Sequence, residues 1–155
     1  MPSYVQKIHR DCKFFYGQYR LMLNCIVFID DLTSENGATQ ILPRSHRTPT
    51  QPSEEYFSDN CVEILGSEGT IVLLDSLIWH RAGVNVTDKP RLVLSIVFSK
   101  PFIKQRLDYP KYLCTSYENI ATEKMLQLLG FKSRVPTSLE EWYLPKKRRF
   151  FQEEQ

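Results

Sequence analysis

Long apolar runs are missing from this 155-residue chain. Nothing in it approaches the ~20 consecutive apolar residues that a membrane-spanning helix requires. Residues 1–13 also lack the apolar core of a secretory signal. A surplus of one charge is missing too: 20 basic residues stand against 18 acidic ones, for a formal net charge of +2. Nucleic-acid binding draws most of its strength from Lys and Arg that neutralise phosphates, so this balance gives no reason to expect it. The short basic cluster Lys146-Lys147-Arg148-Arg149 reads as a solvated tail. None of the four cysteines (Cys12, Cys25, Cys61, Cys114) sits in a C-x-x-C pair. They are expected as free thiols in a reducing, cytoplasmic compartment. No segment repeats at a period of 20–50 residues, which sets solenoids and propellers aside. What remains, 42% hydrophobic and 25% charged, is the composition of one ordinary globular domain.

The apolar patterning is that of a mainly β protein. Residues 20–31, rich in β-branched and aromatic side chains with the single polar Asn24 inside, read as a buried strand. Ser34-Glu35-Asn36-Gly37 supplies a turn, and residues 38–42 return as a strand stopped by Pro43. Residues 44–60 are polar and carry two prolines, so they read as a long surface loop. Further strands are expected at 62–65, at 70–75, and at 91–98, with residues 77–80 either continuing the second of these or starting the next. Beyond Pro101 the pattern changes. Residues 118–129 have helical spacing with Gly130 placed to end the helix, and Ser138-Leu139-Glu140-Glu141 has capping-box form. The expected organisation is one domain with a β core over residues 1–100 and a short helical C-terminal extension over 101–155.

Only three histidines are present, and each can be weighed singly. In an extended strand His9 and Asp11 point to the same face. That pair could grip a divalent cation, although it is also what a surface salt bridge looks like. His80 ends a strongly apolar segment just before a turn-rich interval, where the mouth of a site would lie. Two histidines and one carboxylate leave coordination positions open and suit non-haem Fe(II) oxygenases, while catalytic zinc uses similar sets. Arg91 heads the next apolar strand; facing inward, its planar fork would match a carboxylate.

In order and spacing, His9-Arg10-Asp11, Glu35-Asn36-Gly37-Ala38-Thr39, Pro43-Arg44-Ser45-His46, Glu68-Gly69-Thr70, His80-Arg81-Ala82-Gly83-Val84-Asn85 and Arg91 resemble the phytanoyl-CoA dioxygenase family over roughly residues 6–100. The resemblance implies a double-stranded β-helix (jelly roll) and an Fe(II)/2-oxoglutarate-dependent dioxygenase that consumes O2. It implies His9, Asp11 and His80 as iron ligands and Arg91 as the anchor of the 2-oxoglutarate C5 carboxylate. Thr39 is implied as a further co-substrate contact, and Asn24 is a weaker one. His46 matches a structural turn and is not counted as a ligand. Because Asp11 is present, hydroxylation is expected over halogenation, which needs that coordination position for halide. Arg44 replaces the usual Gly of its turn, and Ala82 stands where some members place a Ser that helps hold 2-oxoglutarate. Members usually carry a long segment ahead of the first ligand, so the expected core lacks the usual N-terminal segment. It then exposes a sheet edge through which a homo-oligomer could form. The expected partner is a small-molecule substrate, with neither nucleic acid nor membrane. A zinc or manganese jelly-roll enzyme and an inactive binding domain stay open as alternatives.

Overall fold

A computed structural model describes residues 6–133 and 135–149 of the chain. It divides into two compact units, residues 1–99 and 100–155. The first unit is built on two three-stranded antiparallel sheets. Its elements in chain order are β1 (Met22–Phe28), β2 (Thr39–Ile41), α1 (Glu54–Asn60), β3 (Val62–Ile64), β4 (Ile71–Asp75), β5 (His80–Ala82) and β6 (Val93–Ser99). One sheet has the order β4-β1-β6 and the other β3-β2-β5.

Register decides which side chains meet. Opposed residues in an antiparallel pair point to the same side. Asn24 lies opposite Leu74 on one neighbour and Val97 on the other, and Ile26 lies opposite Val72 and Ser95. This is the inner face of the first sheet. Its Ile26, Phe28 and Leu74 cluster with Leu32, Ala38 and Ile78, and Ile41 and Ile64 of the second sheet pack against them. The outer face carries Leu23, Ile71, Leu73, Leu94 and Phe98, all exposed.

The polar stretch 44–60 differs from the loop its composition suggests. Ser45–Arg47 forms a 3-10 turn, and Glu54–Asn60 is the helix α1, whose N-cap Ser53 accepts a hydrogen bond from the Tyr56 N–H. A capping serine and one buried aromatic suffice here. Phe57 is fully buried in a second cluster with Ile8, Leu42 and Trp79, a burial that contributes about 1.5–3 kcal/mol. Arg44 takes the left-handed conformation, φ 65, so this turn keeps the backbone that a glycine would supply.

In the second unit the helix expected over residues 118–129 is shorter, and a further helix that was not expected precedes it. α2 (Tyr109–Glu118) breaks at Cys114, and α3 (Glu123–Leu128) starts behind Thr122, whose hydroxyl accepts from the Met125 N–H. A polar cap inside an otherwise periodic stretch sets that start. Gly130, at φ 83, lies just past α3, and Ser138 caps α4 (Leu139–Trp142).

Two glycines let the second sheet close. Gly83 donates its N–H to the Ala38 carbonyl, and a Cβ on Gly83 would lie 2.6 Å from that oxygen. A Cβ on Gly37 would lie 2.7 Å from the Gly83 carbonyl oxygen. Both obstacles are backbone atoms that cannot turn aside. Gly83→Ala is therefore expected to destabilise the fold by about 1–3 kcal/mol. At roughly 2–4 °C per kcal/mol for a protein of this size, thermal melts should show a drop of several degrees.

Candidate functional site

Three chain segments converge on one point. Residue 9 bridges residue 80 in antiparallel fashion, with the His9 N–H on the His80 carbonyl and the His80 N–H on the His9 carbonyl, both at 3.0 Å. The imidazole centroids are 4.3 Å apart. Asp11, two residues on, brings its carboxylate to the same place: Oδ1 is 3.9 Å from His9 Nε2, and Oδ2 is 3.7 Å from His80 Nε2. These separations are too long for hydrogen bonds. One ligand atom from each of His9, Asp11 and His80 falls within 4.8 Å of the others, a spacing that lets a single cation touch all three.

Each histidine is already set for that task. His9 Nδ1 lies 2.9 Å from the Lys7 carbonyl oxygen, and His80 Nδ1 lies 3.0 Å from that of Ile78. A carbonyl only accepts, so Nδ1 carries the proton in both rings and Nε2 keeps its lone pair towards the cluster. Burial holds the His80 pKa below its ordinary value, against the smaller pull of the Ile78 carbonyl and Asp11, so the neutral ring is favoured.

Arg10, between the two outer members of the H-x-D motif, points the other way and is buried. Its guanidinium stacks on Trp79 at 4.3 Å and donates to the carbonyls of Ser45, Thr48 and Pro49. Ser45 Oγ in turn accepts the backbone N–H of Trp79 at 2.8 Å. The Pro43-Arg44-Ser45-His46 turn thus clamps the residues next to His9 and His80 from behind. His46 itself is no member of the cluster.

The other expected residues divide. Thr39 lies opposite Ala82 and Ile41 opposite His80, so all four share one face of the second sheet. Thr39 is buried, and its hydroxyl has no hydrogen-bond partner among the described residues. Arg91 Nη2 donates to the Gly37 carbonyl at 2.6 Å, while its Nε is buried and without a partner. Desolvation lowers its pKa, opposed by Asp30. A guanidinium stays charged regardless, so Arg91 is a half-buried cation with donors to spare. Asn24, expected as a weaker co-substrate contact, bonds to the cluster itself. Its Nδ2 donates to Asp11 Oδ2, and its Oδ1 accepts the Ser76 hydroxyl at 2.5 Å. Gln6, which nothing in the sequence singles out, accepts the Ala82 N–H on its Oε1 at 2.7 Å. Only the tertiary pairing of residues 6–9 with β5 reveals it.

An uncharacterized protein of Mycobacterium tuberculosis, Rv1501, is 33% identical over 147 residues, covering 95% of this chain and 54% of its own length. Dioxygenase af480 of Aspergillus fumigatus is 30% identical over 113 residues, covering 70% of this chain and 36% of that protein. The chain thus spans about half or less of the curated relatives it matches. Among solved structures, SnoN, a non-heme alpha ketoglutarate dependent epimerase from nogalamycin biosynthesis, superposes with a TM-score of 0.51 at 28% identity. The match covers 61% of this chain and 39% of SnoN. Residues 2–93, which hold the whole His9, Asp11, His80 and Arg91 constellation, match the model of the phytanoyl-CoA dioxygenase (PhyH) family, and the chain belongs to that family.

Proposed function

We propose that this chain carries the core of an Fe(II)- and 2-oxoglutarate-dependent dioxygenase that hydroxylates a C–H bond of a small organic metabolite, with release of succinate and CO2. The observation that carries the reading is the convergence of His9, Asp11 and His80 with their lone pairs turned inward. Its two sheets are read as the heart of a double-stranded β-helix. Two imidazoles and one carboxylate are the donor set of the non-haem iron oxygenases, and they leave open positions for a chelating co-substrate and O2. Bound there, Fe(II) with 2-oxoglutarate and O2 supplies the oxidising power for the reaction.

The protein's own residues supply the rest. Arg91, with donors unspent beside Gly37, receives the distal carboxylate of 2-oxoglutarate. The free Thr39 hydroxyl on the same sheet face as His80 offers a second contact. The same donor set also fits zinc. A half-buried cation with spare donors at the Gly37 carbonyl serves no purpose in a plain zinc site, and it favours the dicarboxylate. The names of the relatives support the reading: af480 is called a dioxygenase, and SnoN is described as alpha-ketoglutarate dependent. The retained Asp11 favours hydroxylation over halide transfer, and a natural-product enzyme among the neighbours favours a small metabolite as substrate.

Anaerobic titration with Fe(II) and then 2-oxoglutarate should develop the weak visible charge-transfer band of the iron chelate. Asp11→Ala should lose the band altogether, and a folded wild-type chain without it would refute the iron reading. For Arg91→Ala, removal of one partner of a buried charge pair costs ~2 kcal/mol or more, so 2-oxoglutarate affinity should fall by roughly 30-fold or more. Arg91→Lys should restore little of it, because an ammonium cannot reproduce the fork. Thr39→Val removes a single hydrogen bond of about 1 kcal/mol. Isothermal titration should show it as a loss of roughly fivefold in 2-oxoglutarate affinity with Fe(II) affinity unchanged.

A further inference from the structure

Asn24 is the polar intruder on the inner face of β1, buried between Leu74 and Val97. A buried amide needs partners at both ends, and here each end has one of fixed chemistry. The Asp11 carboxylate can only accept, so the amide nitrogen faces it; the Ser76 hydroxyl donates to the amide oxygen at 2.5 Å. Ser76 is fully buried, and its carbonyl also accepts the N–H of Cys12, the residue after Asp11. One serine thus fixes both the backbone beside the aspartate and the amide that touches its carboxylate.

The contact is asymmetric. Asn24 occupies Oδ2 of Asp11, while Oδ1 carries no hydrogen bond among the described residues. We propose that Asn24, locked by Ser76, is a positioning residue that keeps Asp11 a one-oxygen ligand. Holding Oδ2 in a hydrogen bond leaves Oδ1 to the cation and denies the metal a second carboxylate oxygen. A carboxylate free to swing would chelate through both oxygens and take a coordination position that a co-substrate or a gas needs. The inference rests on the metal reading above and assigns to Asn24 a task directed at the aspartate.

The test uses the whole chain, anaerobic Fe(II), 2-oxoglutarate and nitric oxide as a probe of the last open position. Outer partners of metal ligands are typically worth about 10- to 100-fold in metal affinity. Asn24→Ala is expected to lose Fe(II) affinity in that range by titration calorimetry. At saturating Fe(II) and 2-oxoglutarate it should also give a weaker high-spin iron–nitrosyl EPR signal than wild type. A merely structural Asn24 would lower the melting temperature and leave the saturated nitrosyl signal intact, and that result overturns the proposal. Ser76→Ala keeps the amide but frees it to turn, and should show a smaller loss in the same two readouts. If Asn24→Ala does not fold, Ser76→Ala decides, and wild-type values in both measurements overturn the proposal. A folded wild type that takes up no Fe(II) overturns the metal reading itself, and this inference with it.

Discussion

The hydrogen-bonded pair of residues 9 and 80 is the constraint from which the rest of the site follows. Two reciprocal backbone bonds of 3.0 Å hold segments from opposite ends of the unit side by side. The bridge then does the placing: His80 meets His9 because it faces residue 9, and Asp11, two residues on, brings its carboxylate to both imidazoles. The pairing continues outward from there. β5 pairs with β2, which puts Thr39 on the face of His80, and the close approach of Gly37 and Gly83 brings the Gly37 carbonyl to Arg91. Behind the pair, Arg10 on Trp79 and the Ser45 turn fill the opposite side. An offset of one residue between 9 and 80 would turn the imidazoles to opposite faces.

How much of this was legible in the sequence depended on whether a residue's role is local. The H-x-D spacing, the apolar stretch leading to His80 and the isolated Arg91 could be read because they are local features; that His80 opens β5, in a different sheet from β4, is supplied by the fold. Asn24 could be seen as odd, a polar residue in an apolar run, but its partner lies on another segment and only the fold supplies it. Gln6 gave no signal, since a glutamine near other polar residues is unremarkable until residues 6–9 pair with β5. The helix α1 hid inside a proline-bearing polar stretch. It needs only Ser53 as a cap and Phe57 as an anchor, and two residues make too faint a periodicity against that background. The late start of α3 had the reverse cause: the periodic spacing ran on across Thr122, and a cap won over the period.

The electrostatics of the cluster explain why these particular neighbours surround it. Both imidazole N–H groups are turned away to the carbonyls of Lys7 and Ile78, so the interior holds lone pairs and a carboxylate with no proton between them. The residue that touches Asp11 must therefore meet two demands at once. A lysine or arginine at position 24 would satisfy the carboxylate but cancel the negative charge that the cation needs. A leucine would take the donor away from Oδ2 and leave that oxygen free to turn. An amide donates without adding charge, and with its oxygen held by Ser76 it cannot turn over to present the wrong end. The polar interruption in the apolar run of β1 is thus the one side-chain type among these that steadies the aspartate and leaves its charge available.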